Sequence, residues 1–360
     1  MSELAPRLLS WLRAAHPQRQ ELELGALFAP GAGYSNVTML GHLRWRERGE
    51  DCEQQFVLRL QPAGDAIYPG HDVLRQCRVM QALAATSLPV PRLLGVEHDA
   101  SVLGSPFYLM ERIEGEVPNE NPLYHLEGWF HELPEALRRR HWVAGLEAVA
   151  CMARLDWRAL GLDFLAEEAG LARQLDYYHH AILWAESLAG RSYPLLHAAE
   201  RWLRINQPDL AQTSQEERLV FSWGDAKLGN CLFRNGELVG VLDFEQATLA
   251  NPVDDLAWWL MLDDSLSRGY GVPRLAGLPS RAESIAIWER ASGFRATHLD
   301  YYEVYAAWRM AFVMVRIAHM FKQRGWIGAD SDMDERNGGA TLLAAHAERL
   351  GFDVDFGARA

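Results

Sequence analysis

The chain has 360 residues, 49% hydrophobic and 23% charged, a composition that excludes disorder as the overall state and leaves room for two or three domains. Asp and Glu number 48 against 35 Lys and Arg, a formal net charge of −13. That balance argues against a dedicated nucleic-acid binder, which needs a basic face for phosphates.

The N-terminal residues carry charges inside an apolar stretch, so they read as an amphipathic helix and not as a signal peptide. Residues 24–117 are strand-like in texture. Val37, Met39, Gly41, Leu43 and Trp45 alternate with Thr38, Leu40, His42 and Arg44, a period of two. A polar hairpin is expected over 46–54, a second strand over 55–60, and chain breaks at 61–64 and Pro69-Gly70. Residues 71–84 read as a helix whose face carries Val73, Cys77, Met80 and Leu83. Two more strands are expected over 92–97 and 106–113.

From residue 135 the texture is helical, with periodic segments over 135–157, 167–189, 193–206 and 299–324, interrupted by a strand-rich island over 219–247. Segment 113–122 is the natural boundary. The expected class is therefore α+β. A small antiparallel sheet with one helix occupies 1–113, and a larger, mostly helical part occupies 114–360. Cys52, Cys77, Cys151 and Cys231 show no CxxC spacing and lie in no His-rich run, which argues against a zinc site or disulfide framework. No apolar run reaches the roughly 18 residues of a membrane span; the longest, Val304 to Val315, is cut by Arg309. A cytoplasmic protein with no membrane partner is expected.

The island carries the chemistry. Phe221 to Arg234 leads into Asn235-Gly236, and Glu237 to Glu245 follows. Asn-Gly between two apolar runs is a strong hairpin signal, because both turn residues must accept positive φ. The hairpin brings Asp225 and Asn230, at the start of one arm, beside Asp243 at the end of the other. Phosphoryl transfer needs such a set. One carboxylate orients and deprotonates a hydroxyl, while a second carboxylate and an amide oxygen hold Mg²⁺ on nucleotide phosphates. Lys227 would offset charge on the transferring group.

The segment resembles the aminoglycoside phosphotransferase and choline kinase family, which is related to the protein kinases. Trp223-Gly-Asp-Ala-Lys-Leu-Gly-Asn230 matches the family loop HGDxxxxN. Asp243-Phe-Glu245 sits where kinases carry DFG, and Pro252 to Ala257 resembles the PxxDLA segment. The resemblance implies a bilobal protein-kinase-like fold, ATP or GTP as co-substrate and Mg²⁺ as cofactor. It implies Asp225 as catalytic base, Asn230 and Asp243 as Mg²⁺ ligands, and Asp255 as a structural acid. Gly31 to Thr38 resembles the pattern GGxSNxT, which would place Gly33, Ser35 and Asn36 on phosphates. Val57-Leu-Arg59, Leu88 to Arg92 and Leu103 to Gly115 resemble the branch whose members are sometimes fused to acyl-CoA dehydrogenases. There Arg59 would meet the phosphates, and Met110, Glu111 and Ile113 would form the adenine hinge.

Three positions depart from the pattern. Trp223 replaces the loop His. Arg59 replaces the third-strand Lys, and can still hold phosphates through a fork of donors. Gln76 replaces the helix Glu, so no ion pair forms, but it can accept a hydrogen bond from Arg59. The expected activity is transfer of a γ-phosphoryl group to a hydroxyl of a small molecule. A nucleotide-binding pseudokinase scaffold is the alternative, and a protein kinase ranks last because no activation segment follows Asp243. The acceptor is expected over Asp225 against the helical insertions. Their aromatics (Trp142, Trp258, Trp259, Tyr302, Tyr305 and Trp308 among them) and acids such as Asp263, Asp264 and Glu303 do not name it, and oligomeric state is left open.

Overall fold

The computed structural model describes residues 3–29, 37–61, 66–70, 72–208 and 219–352. The chain divides into two compact units, Met1–Glu114 and Gly115–Ala360.

The first unit opens with α1 (Leu4–Ala15), which turns Leu8 and Leu12 into the core. Trp11 of this helix donates from Nε1 to Glu97 Oε2 at 2.7 Å and meets Phe107 edge-on. Strands β1 (Gln20–Leu24), β2 (Val37–Glu47), β3 (Glu50–Leu60), β4 (Leu93–Glu97) and β5 (Phe107–Glu111) form one antiparallel sheet in the order β1-β2-β3-β5-β4. The polar hairpin expected over 46–54 is present as the closed end of the β2–β3 pair. The β2–β3 ladder runs unbroken from Val37↔Leu60 to Glu47↔Glu50, and only Arg48-Gly49 turns, both with positive φ. Polar side chains are tolerated there because this end of the ladder is exposed. Helix α2 (Val73–Leu83) follows β3, is capped by Asp72 accepting from Leu74 N, and buries the expected face.

The second unit holds α3 (Trp129–Glu132), α4 (Glu135–Ala153), α5 (Leu171–Ala189) and α6 (Pro194–Ile205) before the island. After it come α7 (Asp254–Leu266), α8 (Arg281–Ser292), α9 (Leu299–Gln323) and α10 (Gly338–Leu350). Helix α9 is buried along most of its length and packs on α5, α6, α7 and α10. Among the described residues no helix is long and apolar enough to cross a membrane.

The island folds as two small antiparallel pairs. Strands β6 (Val220–Ser222) and β9 (Thr248–Ala250) form one. Strands β7 (Cys231–Arg234) and β8 (Glu237–Val241) form the other, joined by Asn235-Gly236 with φ of 53° and 83°, as the dipeptide predicts. This α+β architecture, an antiparallel sheet followed by a mostly helical part, is the expected class.

Candidate active site

The loop between β6 and β7 carries Trp223 to Asn230, and three features hold it. First, Gly224 has φ +80°, and a Cβ there would lie 2.0 Å from the carbonyl oxygen of Gln246, so no other residue fits. Second, Asp255, in the first turn of α7, takes the loop's backbone donors. Its carboxylate accepts from Trp223 N at 2.7 Å, Gly224 N at 2.9 Å and Ser222 Oγ at 2.9 Å. Third, the Trp223 indole donates from Nε1 to Leu242 O at 2.8 Å and Asp243 O at 3.1 Å. The indole in the place of the loop His therefore ties the loop to the segment after β8 that carries Asp243.

Burial, and then the neighbouring Asp254 carboxylate, raise Asp255 from its ordinary 3.8 to about 6, against the pull of its three donors. Between those values the folded state keeps a proton that the unfolded chain has released. The contribution of Asp255 to stability therefore falls as pH rises through that window and is level above it. Asp255→Asn is expected to remove this slope, which amounts to at most about 3 kcal/mol at about 1.36 kcal/mol per pKa unit. Urea unfolding of both proteins across the window measures it; identical pH slopes would refute it.

The loop then assembles the charged groups. Asp225 Oδ2 accepts from Asn230 Nδ2 at 2.8 Å, and Asp225 O accepts from the same nitrogen at 3.0 Å. Asp225 Oδ1 accepts from Trp258 Nε1 at 3.0 Å. Lys227 Nζ stands 3.5 Å from Asp225 Oδ2 and 3.1 Å from Glu120 Oε1. Burial alone would lower the Lys227 pKa, but Asp225, Glu120 and Asp243 together outweigh it and hold the ammonium charged. Leu242 N donates to Asn230 O at 3.0 Å, which sets Asn230 beside the 242–243 backbone. Asp225, Lys227 and Asn230 are thus in contact, and Asp243 is near enough to act on the charge of Lys227.

Among the nucleotide residues expected in the first unit, Gly33, Ser35 and Asn36 lie outside the described residues. Arg59 projects from β3 and donates from Nη1 to Thr38 Oγ1 at 3.1 Å, its cross-strand partner. Gln76 corrects the expectation made for it: its Oε1 accepts from Tyr108 Oη at 3.3 Å and not from Arg59. The amide is buried on α2, which packs over β5, so the β5 hydroxyl meets it first. Met110 and Glu111 end β5. The N–H groups of Glu111 and Arg112 are taken by Arg92 O and Gln55 O. Ile113, the third residue expected at the hinge, has a backbone N–H with no partner among the described residues.

Three residues of the second unit escape sequence reasoning. Glu120 sits in what reads as a boundary segment and pairs with Lys227. Gly229 leaves space for it, since a Cβ there would lie 2.5 Å from Glu120 Oε1. Trp258 follows Asp255 by one helical turn, so the spacing that marks Asp255 could have marked it too. Arg309 donates from Nη2 to Gly224 O at 2.8 Å and pairs with Asp254 at 3.4 Å. Its signal was a charge inside an otherwise apolar helix. Most of the aromatics are core: Trp142, Trp259, Trp308, Tyr302 and Tyr305 are all fully buried.

A model of the phosphotransferase enzyme family matches residues 33–294. The chain belongs to this family. Acyl-CoA dehydrogenase family member 11 of Rattus norvegicus is 30% identical over 251 residues, covering 67% of this chain and 30% of that protein. The phosphotransferase-family chain thus spans less than a third of the length of that relative. Among solved structures, a Ralstonia eutropha protein provisionally assigned as an aminoglycoside phosphotransferase superposes with a TM-score of 0.68 at 22% identity, over 96% of this chain and 98% of that one. An aminoglycoside phosphotransferase in complex with GDP and kanamycin gives 0.53 at 14% identity, over 95% and 99% of the two chains. Both likenesses show the aminoglycoside-phosphotransferase fold.

Proposed function

We propose that this chain transfers the γ-phosphoryl group of ATP or GTP to a hydroxyl of a small molecule. The observation that carries the reading is the double use of Asn230. Its Nδ2 is committed to Asp225, on both the carbonyl and the carboxylate, which fixes the base and leaves the amide oxygen for a cation. That oxygen and the Asp243 carboxylate are hard donors and would hold Mg²⁺, which when bound neutralises charge on the nucleotide phosphates.

In this reading Asp225 accepts the acceptor's hydroxyl proton as its oxygen bonds to the γ-phosphorus, and the bond to the β-phosphate oxygen breaks, releasing the nucleoside diphosphate. Lys227 lies beside the same carboxylate and would stabilise charge on the transferring group. The chemistry fits the family, and the GDP complex of a structural relative supports a nucleotide co-substrate.

Nucleotide consumption against aminoglycosides, choline-like alcohols, sugars and hydroxyacyl thioesters tests the proposal. Turnover with one class, abolished in Asp225→Asn, supports it. Tight nucleotide binding with no turnover on any class favours the scaffold reading. That alternative draws on Gln76, which carries no charge and is engaged by Tyr108.

In the first unit, Arg59, Ile113 and the Gly33 to Asn36 segment would contact the nucleotide. Arg59→Ala is expected to weaken Mg-ATP binding by about 1.5–3 kcal/mol, the range for hydrogen bonds to charged groups. Arg59→Lys should recover only part of this, since a point charge replaces a planar fork. Calorimetry decides: unchanged affinity in Arg59→Ala would remove this strand from the nucleotide site.

A further inference from the structure

A carboxylate on a single-bonded stem rotates freely unless something holds it. Asp225 is held on each oxygen by one N–H, from Asn230 and from Trp258. Asn230 belongs to the loop motif. Trp258 does not; it comes from α7, one turn beyond Asp255. The same helix that takes the loop's backbone N–H groups therefore also grips the side chain of Asp225.

Trp258 is itself fixed from behind. The Arg309 guanidinium lies over its ring, 4.5 Å from the centroid. Arg309 is 4% exposed and its other contacts fix it in place. It donates to Gly224 O at 2.8 Å and to Tyr178 Oη at 3.1 Å, and it pairs with Asp254 at 3.4 Å. One side chain thus holds both the peptide next to Asp225 and the ring bonded to its carboxylate. Neighbouring Trp259 shows what a packing indole looks like here. It is equally buried, against Gly145 and Trp142, and its Nε1 has no partner among the described residues. Burial alone does not aim an indole N–H at a carboxylate.

We propose that Trp258, backed by Arg309, is a positioning residue for phosphoryl transfer: its indole N–H sets the direction in which Asp225 offers its remaining lone pairs to the acceptor hydroxyl. The inference rests on the reading of Asp225 as base. A base must lie within hydrogen-bond reach of the proton it removes, and small misplacements are costly in rate.

Trp258→Phe removes the donor and keeps an aromatic ring under Arg309. Benzothienylalanine at the same position keeps the shape of the indole and exchanges only N–H for sulfur, so it separates the hydrogen bond from packing. The assay is Mg-ATP turnover with the acceptor that the compound panel identifies, read beside Mg-ATP affinity and thermal midpoint. Both variants are expected to lower kcat about tenfold or more with Mg-ATP affinity within about twofold, a hydrogen bond to a charged group being equivalent to that much in rate. The isosteric variant should also keep the wild-type midpoint. Independently of turnover, the indole proton resonance that disappears in Trp258→Phe should move in Asp225→Asn. An isosteric variant with wild-type kcat overturns the proposal and leaves the transfer reading standing. A resonance unmoved by Asp225→Asn overturns the contact itself. Absence of turnover in the wild-type protein on every acceptor overturns the transfer reading and this role together, even where the resonance moves.

Discussion

Asp225→Asn is expected to lower kcat for phosphoryl transfer by about 100–10,000-fold, the range that general-base catalysis contributes, while Mg-ATP affinity changes by less than about tenfold. The substitution keeps size and planarity and removes the proton acceptor. It also reaches the two donors unequally. The amide oxygen can still accept from Trp258, but the amide nitrogen then faces the Asn230 Nδ2, which now bonds Asp225 at 2.8 Å. Asn230 keeps its other bond, to the Asp225 carbonyl, so the loop stays folded. Asp255 continues to hold the backbone of Trp223 and Gly224. Lys227 retains its pairing with Glu120. Binding groups therefore survive where the base does not. Steady-state rates beside calorimetry separate the two quantities, and a variant that kept wild-type kcat would show that another group takes the proton.

What could be read from the sequence, and what could not, follows the range of the interactions. The Asp225, Asn230 and Asp243 set was legible because one short hairpin carries all three, and its turn announces itself as Asn-Gly. Helix α2 was legible because only one of its faces is buried. Helix α7 was not: it is buried on nearly every side, so it offers no polar stripe for a periodicity argument. Helix α8 escaped although its capping box, Ser280 with Glu283, is present in the sequence. The residues that brace the site were hidden for a different reason. Lys227 meets Glu120 across 107 positions and Arg309 meets Gly224 across 85. Such pairs have no local signature; each partner alone is an ordinary surface acid or an anomalous charge in a core helix. Gln76 shows the same limit in reverse. Its helix and its burial-prone face were legible, but its hydrogen-bond partner depended on which hydroxyl β5 presents to it.

Asp243→Asn is the sharpest test of the cation site, because the backbone there admits the change. Asp243 has φ +63°, in the left-handed region that Asp and Asn tolerate better than other non-glycine residues. Its carbonyl is held by the Trp223 indole, an interaction the substitution leaves alone. The variant should therefore keep the backbone conformation of this segment. What it loses is one anionic oxygen from the donor set proposed for Mg²⁺, a hard cation that favours such donors. Nucleotide affinity in the presence of Mg²⁺ is expected to fall by about 100-fold, the upper end of what disturbing a metal ligand's partners costs, and kcat should fall with it. Affinity measured in EDTA should hardly change, because a ligand to the cation has nothing to offer a metal-free nucleotide. Asp243→Ala adds a second effect: it places a side chain without a polar group in the left-handed region and should lower the midpoint as well. Asn230→Ala should weaken Mg²⁺-dependent binding in the same direction but less, since the oxygen it removes is neutral. Calorimetry on the three variants, each with Mg²⁺ and with EDTA, decides the assignment. Equal affinity of Asp243→Asn and the wild type for the Mg²⁺ nucleotide would take Asp243 out of the cation site and leave Asp225 standing as the base.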